Sequence, residues 1–294
     1  MSPAEFLSDL FNPELAFLPK ALAVAVMSSI VCGVVGCHVV LRGMAFIGDA
    51  VAHAVFPGLA VAFVTQGSLV VGGAAAGVVT AVLVALFSQN RRVREDAVIG
   101  VLFVAAFALG LVVMARAPGY GGSLQQFLFG SIAGIPTSDL YTVAGAGLVI
   151  LAVTFFAHKE LVAVSLDRET ASAMGVRVFW FDLLLYVSVA FAVVISVQVI
   201  GNILVLALLV TPAATARLLT DRLAAMMVIS PLLGGGGSLA GLYLSWSYDL
   251  PTGATIVLVL TALFVMAWLF APRHGLLARR RVPVDSDRQD AAGA

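Results

Sequence analysis

The sequence predicts an all-α protein, a polytopic bundle of transmembrane helices. The two observations behind this are its composition and the length of its uncharged runs. Hydrophobic residues make up 61% of the 294 residues and charged residues only 11%, with a mean hydropathy of +1.08. A water-soluble domain of this length cannot cover so large an apolar fraction, so the expected solvent is the lipid bilayer. The net charge is zero, so no basic field indicates a nucleic-acid partner.

Nine runs reach the length of about 20 mostly apolar residues that a membrane-spanning helix needs. They cover residues 17–41, 44–65, 69–88, 97–115, 140–157, 178–197, 200–217, 224–247 and 252–271. The sixth and seventh runs meet at a tight turn around Gly201 and Asn202. The count falls to eight if that pair forms one broken or re-entrant element.

The positions of the basic residues predict the orientation of the bundle. If the N-terminus lies outside, all of the 16 Lys and Arg residues except Lys20 and Arg116 fall on the cytoplasmic side. A count with one helix fewer would place every later loop on the opposite side and remove this asymmetry. We therefore expect an external N-terminus and a cytoplasmic C-terminus.

Three regions follow from this arrangement. Residues 1–16 are predicted to form an amphipathic segment at the outer interface, since four apolar side chains share one face of a short helix: Phe6, Leu7, Leu10 and Phe11. Residues 17–272 form the transmembrane domain. Residues 273–294 are Arg-rich, then small and polar, and we expect a disordered cytoplasmic tail.

Two cysteines and a histidine lie together in the first span. Cys32 and Cys37 are five positions apart and therefore on different helix faces, so no disulfide is expected between them. His38 is a metal-ligand candidate, but no second ligand stands three or four positions away. A buried structural histidine is the favoured interpretation.

The strongest functional pattern is an aspartate and a histidine inside the second span. Asp49 and His53 are four positions apart, so their side chains project from one helix face about one turn, or roughly 6 Å, apart. Ionisable residues in a membrane helix are functional by default, and a carboxylate with an imidazole suits zinc, manganese or iron(II). The structural alternative is an ion pair between Asp49 and Arg42, which precedes it by seven positions.

Two prolines predict irregular helix geometry near this pair. Pro57 lacks the N–H that would bond to the carbonyl of His53, so a helix break is expected just after the pair. Pro212 similarly frees the carbonyl of Leu208 in the seventh span, where a kink and simple packing distortion are equally compatible.

The cytoplasmic loop 158–177 is predicted to contain a short helix at about 166–176. Asp167 has the side chain and charge of a helix N-cap, and Gly175 is placed to end the helix. A compact helix between two spans is a shape that a partner protein grips. An ordinary interfacial loop helix is the alternative.

Five motifs, in order along the chain, resemble the zinc/manganese permease family of ATP-binding-cassette importers. They are residues 39–58 with Gly48-Asp49-Ala50 and His53-Ala54-Val55, then Phe127 to Ser131, Asp167 to Ala171 with Gly175-Val176, Ala207 to Ala216, and Asp249 to Ala254. One departure is Cys37-His38, where the family usually has a small residue followed by an apolar or aromatic one.

The resemblance implies a homodimeric permease in the plasma membrane of a bacterium. It also implies a cytoplasmic ATPase for each protomer and an external solute-binding protein that delivers the metal. Asp49 and His53 would line the path of a transported divalent ion, zinc or manganese or else iron. The residues that would couple the permease to the ATPase are Asp167, Arg168, Glu169, Ala171 and Gly175.

No permanently bound cofactor is expected, and the absence of a phosphate-loop motif assigns ATP hydrolysis to the partner subunit. Two other transport functions stay open. A proton-coupled secondary metal transporter would work without an ATPase. A permease for a metal chelate would need a larger cavity and would not use the Asp49/His53 pair as ligands.

Overall fold

The computed structural model describes residues 3–44, 46–89, 93, 95–115 and 136–271. Its helices are α1 (Pro3–Leu10), α2 (Phe17–Leu41), α3 (Ile47–Ala54), α4 (Phe56–Val64), α5 (Leu69–Phe87), α6 (Glu95–Ala115), α7 (Thr137–Phe156), α8 (His158–Leu166), α9 (Arg168–Ala173), α10 (Val178–Ile200), α11 (Asn202–Leu219), α12 (Leu223–Tyr248) and α13 (Thr252–Phe270). A short 3-10 helix, Pro13–Leu15, links the first two. The described residues contain no strand, which confirms the predicted all-α class.

Nine spans are long and apolar enough to cross a membrane within the described ranges, with α3 and α4 together forming the second. The predicted ends agree with the observed ones to within three residues. Gly201 alone separates α10 from α11, and its φ of +81° is one that glycine adopts without strain. Both helices are full-length spans, so the alternative of eight is wrong.

Helix α2 is the central helix of the bundle, and α7, α10, α11 and α12 all pack against it. Val24, Val35 and Val39 on α2 are completely buried. The closest crossing is with α11, where a Cβ on Gly36 would lie 1.9 Å from the carbonyl oxygen of Leu209. Only a residue without a side chain fits there, because two backbones are in direct contact.

Two polar contacts show which helix ends lie together. Arg42, just after α2, binds Asp182 near the start of α10. At the opposite end of α2, Lys20 donates to the hydroxyl of Thr137, the first residue of α7, over 3.1 Å. These pairings agree with the alternation of spans on which the predicted orientation depends. The side of the membrane on which each end lies stays a prediction.

The N-terminal helix forms where the sequence predicts one and docks on the end of α12. Phe6 is buried with its ring 5.4 Å from that of Tyr243, and the indole N–H of Trp246 donates to Asp9 over 3.0 Å. Leu7 is exposed, as is Phe11 just beyond the helix. The predicted apolar face is therefore only partly covered by protein, and its position at the outer interface stays a prediction.

Several predicted features fall outside the described residues: the tail 273–294, the motif at 127–131 and the basic residues Arg91, Arg92, Arg94 and Arg116. The two cysteines are described and both are buried free thiols. The absence of a disulfide between them is thus confirmed.

Candidate metal pathway and coupling segment

The second span is divided immediately after the predicted metal-binding pair. Helix α3 ends at Ala54, α4 begins at Phe56, and Val55 joins them. Pro57 lies in the first turn of α4, where a missing N–H costs least and the fixed φ of proline favours a helix start. The helix break therefore lies next to Pro57, as predicted, and within one turn of His53.

Asp49 and His53 are in contact within α3. The His53 Nδ1 atom lies 3.2 Å from a carboxylate oxygen of Asp49 and 3.0 Å from the Asp49 backbone carbonyl oxygen. With its proton on Nδ1, the imidazole donates to that carbonyl and keeps the Nε2 lone pair for another ligand. Metal-binding histidines are commonly oriented in this way, by a carbonyl or a carboxylate at the second ring nitrogen.

Two aromatic rings from α6 enclose the imidazole of His53. The rings of Phe103 and Phe107 have their centres 5.2 and 5.3 Å from its centre, both close to perpendicular. Phe107 also contacts Phe56, at the start of α4. Because these rings fill the space beside His53, they restrict rotation of the imidazole and hold it beside Asp49.

The carboxylate of Asp49 is the open side of the pair. Its side chain is 43% exposed in the single chain, against 20% for His53. The neighbouring Gly48 packs against Leu209 of α11 so closely that a Cβ would lie 2.6 Å from a leucine methyl group. Helix α3 is thus held against α11 on one face while Asp49 faces away from the protein interior.

The structural alternative for Asp49 is excluded by the partner of Arg42. The Arg42 guanidinium binds Asp182 over 2.6 Å and donates to the hydroxyl of Ser165 over 3.0 Å. Helix α2 also ends before Arg42, so Arg42 and Asp49 do not share a helix face. The Asp49 carboxylate is therefore not consumed by this ion pair.

The chain brings two candidate metal ligands together at this point, Asp49 and His53. Among the described residues, no group of three or more His, Cys, Asp or Glu side chains is close enough to hold a metal ion. A carboxylate oxygen and an imidazole nitrogen bind Mn²⁺, Fe²⁺ or Zn²⁺, but a pair alone leaves most coordination positions open. Such a site suits an ion that must also leave.

Pro212 lies within α11, which continues through it without a break. The proline is buried, and a Cβ on Gly234 of α12 would lie 3.4 Å from its ring. The predicted irregularity at this residue is therefore accommodated by packing against a glycine rather than by ending the helix.

The predicted loop helix is α9, which covers six residues, Arg168–Ala173, rather than the whole of the predicted 166–176. The Asp167 carboxylate accepts from the backbone N–H of Glu169 over 2.9 Å and from the hydroxyl of Thr170 over 2.5 Å, which is N-cap geometry. Gly175 follows the helix with φ +85°. Ala171 is the buried contact of this helix, and Glu169 is exposed.

The first half of the same loop is helical too, which the sequence analysis did not predict. Helix α8 follows α7 after a single residue, Ala157. Leu161 and Val164 are buried on one side of it. Their spacing of three positions is the apolar pattern that could have indicated the helix.

The cap on α9 should tolerate acid. The hydrogen bond from Thr170, with those from the backbone N–H groups of Glu169 and Thr170, holds the pKa of Asp167 below the ordinary aspartate range. A lowered pKa means that the cap is fully present at neutral pH and is lost only as pH falls through that lowered value. We expect Asp167→Ala to reduce the hydrogen-exchange protection of α9 amides and Asp167→Asn, which also caps, to retain it. Equal protection in both variants would contradict the role of the cap.

Arg168 points into the protein. Its guanidinium forms ion pairs with Asp182 of α10 and with Glu95, the first residue of α6. Sequence reasoning overlooked both carboxylates, although Asp182 is an ionisable residue inside an apolar run, which is itself a signal of function. It also overlooked Phe103 and Phe107, because an aromatic residue in an apolar span carries no distinguishing pattern.

Comparison with known proteins decides the family. Residues 14–271 match the model of the ABC 3 transport family. The chain belongs to this family. This match confirms the resemblance inferred from the five motifs. Together with the candidate membrane spans, it also confirms the predicted location of the chain as a multi-pass protein in the bacterial plasma membrane.

Two named relatives match this chain over almost their full length. The chain is 40% identical over 264 residues to the manganese transport system membrane protein MntC of Halalkalibacterium halodurans, covering 90% of each chain. It is 34% identical to a probable iron transport system membrane protein of Haemophilus influenzae, covering 92% of this chain and 95% of that protein.

A solved structure has the same fold. A chain in the structure of PsaBC from Streptococcus pneumoniae in complex with Fab matches with a TM-score of 0.83 and 33% identity, over 95% of this chain and 100% of that one.

Proposed function

We propose that this chain is the permease subunit of an ATP-driven importer that carries Mn²⁺ into the bacterial cytoplasm. The observation that carries the proposal is the 40% identity, over 90% of both chains, to a manganese transport membrane protein. Iron(II) is the second substrate, because a relative that matches over almost as much of the chain is named for iron. Zinc, the other ion that the Asp49/His53 pair suits, serves as the competitor in the test.

The ion passes the Asp49/His53 pair on its way through the bilayer. Two protomers bring their pairs to a shared axis, which provides four protein ligands from one sequence. This homodimer is supported by the exposure of the Asp49 side chain in the single chain and by the lack of a third ligand among the described residues. Carboxylate and imidazole ligands with added water suit Mn²⁺.

The energy comes from a cytoplasmic ATP-binding-cassette subunit that grips α9, one for each protomer. An external binding protein delivers the metal. ATP binding and hydrolysis move α9 and expose the pair first to the outside and then to the cytoplasm. This chain performs no covalent chemistry itself.

The test is radiomanganese uptake into proteoliposomes that hold the permease, its ATPase and its binding protein. We expect uptake to require ATP on the cytoplasmic side, to persist with a protonophore, and to be absent for the permease alone. Unlabelled Mn²⁺ should compete more strongly than Zn²⁺. Uptake by the permease alone, driven by a proton gradient, would instead establish a secondary transporter, and uptake of iron only as a chelate would contradict the ion as substrate.

A further inference from the structure

Four charged side chains form a cluster at the end of the bundle that carries α9. Asp182 is at its centre, with a side chain only 2% exposed. Arg42 donates to one of its carboxylate oxygens over 2.6 Å and Arg168 to the other. Arg168 also pairs with Glu95. Two positive and two negative charges balance, so the Asp182 carboxylate is buried without an uncompensated charge.

Each member of the cluster belongs to a different part of the chain. Arg168 is the first residue of α9, and Glu95 is the first residue of α6. Asp182 is in the first two turns of α10, and Arg42 follows the last residue of α2. A displacement of α9 therefore acts on three spans through side chains that are already in contact.

Two chains of contacts, here called branches, lead from Arg168 towards the Asp49/His53 pair. The first branch runs from Arg168 to Glu95 and through α6 to His53. Glu95 and Phe103 are eight residues apart on one helix, a rise of about 12 Å. Phe103 and Phe107 are the rings that enclose the imidazole of His53. Since a helix moves as a stiff body, a pull on Glu95 through Arg168 shifts the enclosure around the metal ligand.

The second branch leads through Asp182 and Arg42 to Asp49. The short connection between α2 and α3 begins with Arg42 and Gly43, whose φ of +70° permits a sharp change of direction. Helix α3 and Asp49 follow directly. The position of Arg42 thus fixes the entry of the chain into the metal-binding helix.

The two halves of the cluster differ in exposure. The side chains of Arg42 and Asp182 are 6% and 2% exposed, whereas those of Arg168 and Glu95 are 35% and 22% exposed. The inner pair is therefore fixed, because separating buried charges is expensive, and the outer pair exchanges partners with water at lower cost. With this difference in exposure, Arg168 and Glu95 can move with α9 while Arg42 and Asp182 stay paired with each other.

We infer that Asp182 is a positioning residue: it holds the Arg168 guanidinium, from which the first branch starts, and transmits the movement of α9 through Arg42 to the second branch, and so couples ATP hydrolysis to exposure of the metal site. This rests on the proposed function. The residue touches neither the ion nor ATP. Its effect is on the number of ions moved for each ATP hydrolysed.

The test measures that ratio in proteoliposomes of the whole importer with radiomanganese. Asp182→Asn should assemble with the ATPase and hydrolyse ATP, while the ions imported per ATP fall about tenfold, within the range usual for coupling between sites. The matched control is Asp221→Asn, an aspartate paired with Arg217 on the exposed surface, which should keep the wild-type ratio. A merely structural role for Asp182 would lower the amount of assembled importer but leave the ratio unchanged.

Two further variants keep the test decisive if Asp182→Asn fails to assemble. Glu95→Gln and Arg168→Gln remove the partly exposed members and should also lower the ratio. The double variant Arg168→Gln/Asp182→Asn should be no worse than the more severe single variant, because both substitutions break the same contact between Arg168 and Asp182.

A wild-type ratio in Asp182→Asn, or in Glu95→Gln and Arg168→Gln if the first does not assemble, overturns this inference alone. Additive losses in the double variant overturn it as well. Absence of ATP-driven import by the wild-type importer overturns the proposed function and this inference with it.

Discussion

Replacing Asp49 or His53 with alanine is expected to reduce Mn²⁺ uptake at least about 100-fold, since losing groups that merely orient a metal ligand already costs roughly 10- to 100-fold. The two residues are in contact over 3.2 Å and are proposed to bind the same ion. In a homodimer each substitution removes two of four ligands. Uptake of radiomanganese by the reconstituted importer measures the effect.

Size-matched variants separate loss of a ligand from loss of the fold. Asp49→Asn and His53→Gln keep most of the side-chain volume and should lose uptake nearly as fully as the alanine variants, with wild-type expression and ATPase binding. Asp139→Asn is the control, because Asp139 is a partly exposed aspartate in the first turn of α7, distant from α3 in sequence. Normal uptake in both size-matched variants would show that the pair does not line the path.

Gly36→Ala should be the most damaging single substitution in the packing of the bundle. A Cβ at this position would lie 1.9 Å from the carbonyl oxygen of Leu209, and a backbone atom cannot move aside as a flexible side chain does. Separating α2 from α11 at their crossing would cost at least about 3 kcal/mol, the upper end of ordinary overpacking. Thermal unfolding in detergent, followed by loss of the monodisperse species, measures the change.

Gly236→Ala is the matched control for that substitution. Both glycines lie inside long helices, but nothing lies within 4 Å of a Cβ built on Gly236. Its melting temperature should equal or slightly exceed that of the natural protein, because alanine favours a helix over glycine. Equal melting temperatures for the two variants would show that the close crossing does not stabilise the bundle.

The fold was predictable because its spans are defined by local composition. Each apolar run is bounded by charged or turn residues, and the bilayer requires every backbone polar group in it to be satisfied within a helix. What composition does not reveal is how the chain is folded between spans. Helix α8 was missed for this reason, and α9 was assigned too many residues.

The candidate site was predictable where its residues are neighbours in sequence. Asp49 and His53 stand four positions apart on one helix, so periodicity alone brings them together. Arg42 and Asp182 are 140 positions apart, and only the packing of α2 beside α10 joins them. The sequence therefore suggested Asp49 as the ion-pair partner of Arg42, whereas in the structure that partner is Asp182.

The contact between His38 and His158 was not predictable from the sequence. From sequence His38 is a lone histidine without a second ligand nearby, yet it is fully buried with its ring centre 5.9 Å from that of His158. The two residues meet because α7 and α8 pack against α2. Neither a periodicity nor a motif in the sequence connects them.

In the proposed function, one Mn²⁺ ion binds between two protomers through Asp49 and His53. Electron spin-echo spectroscopy of Mn²⁺ bound to the nucleotide-free importer tests it most directly, because an imidazole nitrogen bound to the metal gives its own modulation. We predict one ion for two protomers, nitrogen coupling that disappears in His53→Gln, and loss of the bound ion in Asp49→Ala. Bound Mn²⁺ without nitrogen coupling, or with coupling that survives His53→Gln, would contradict the account.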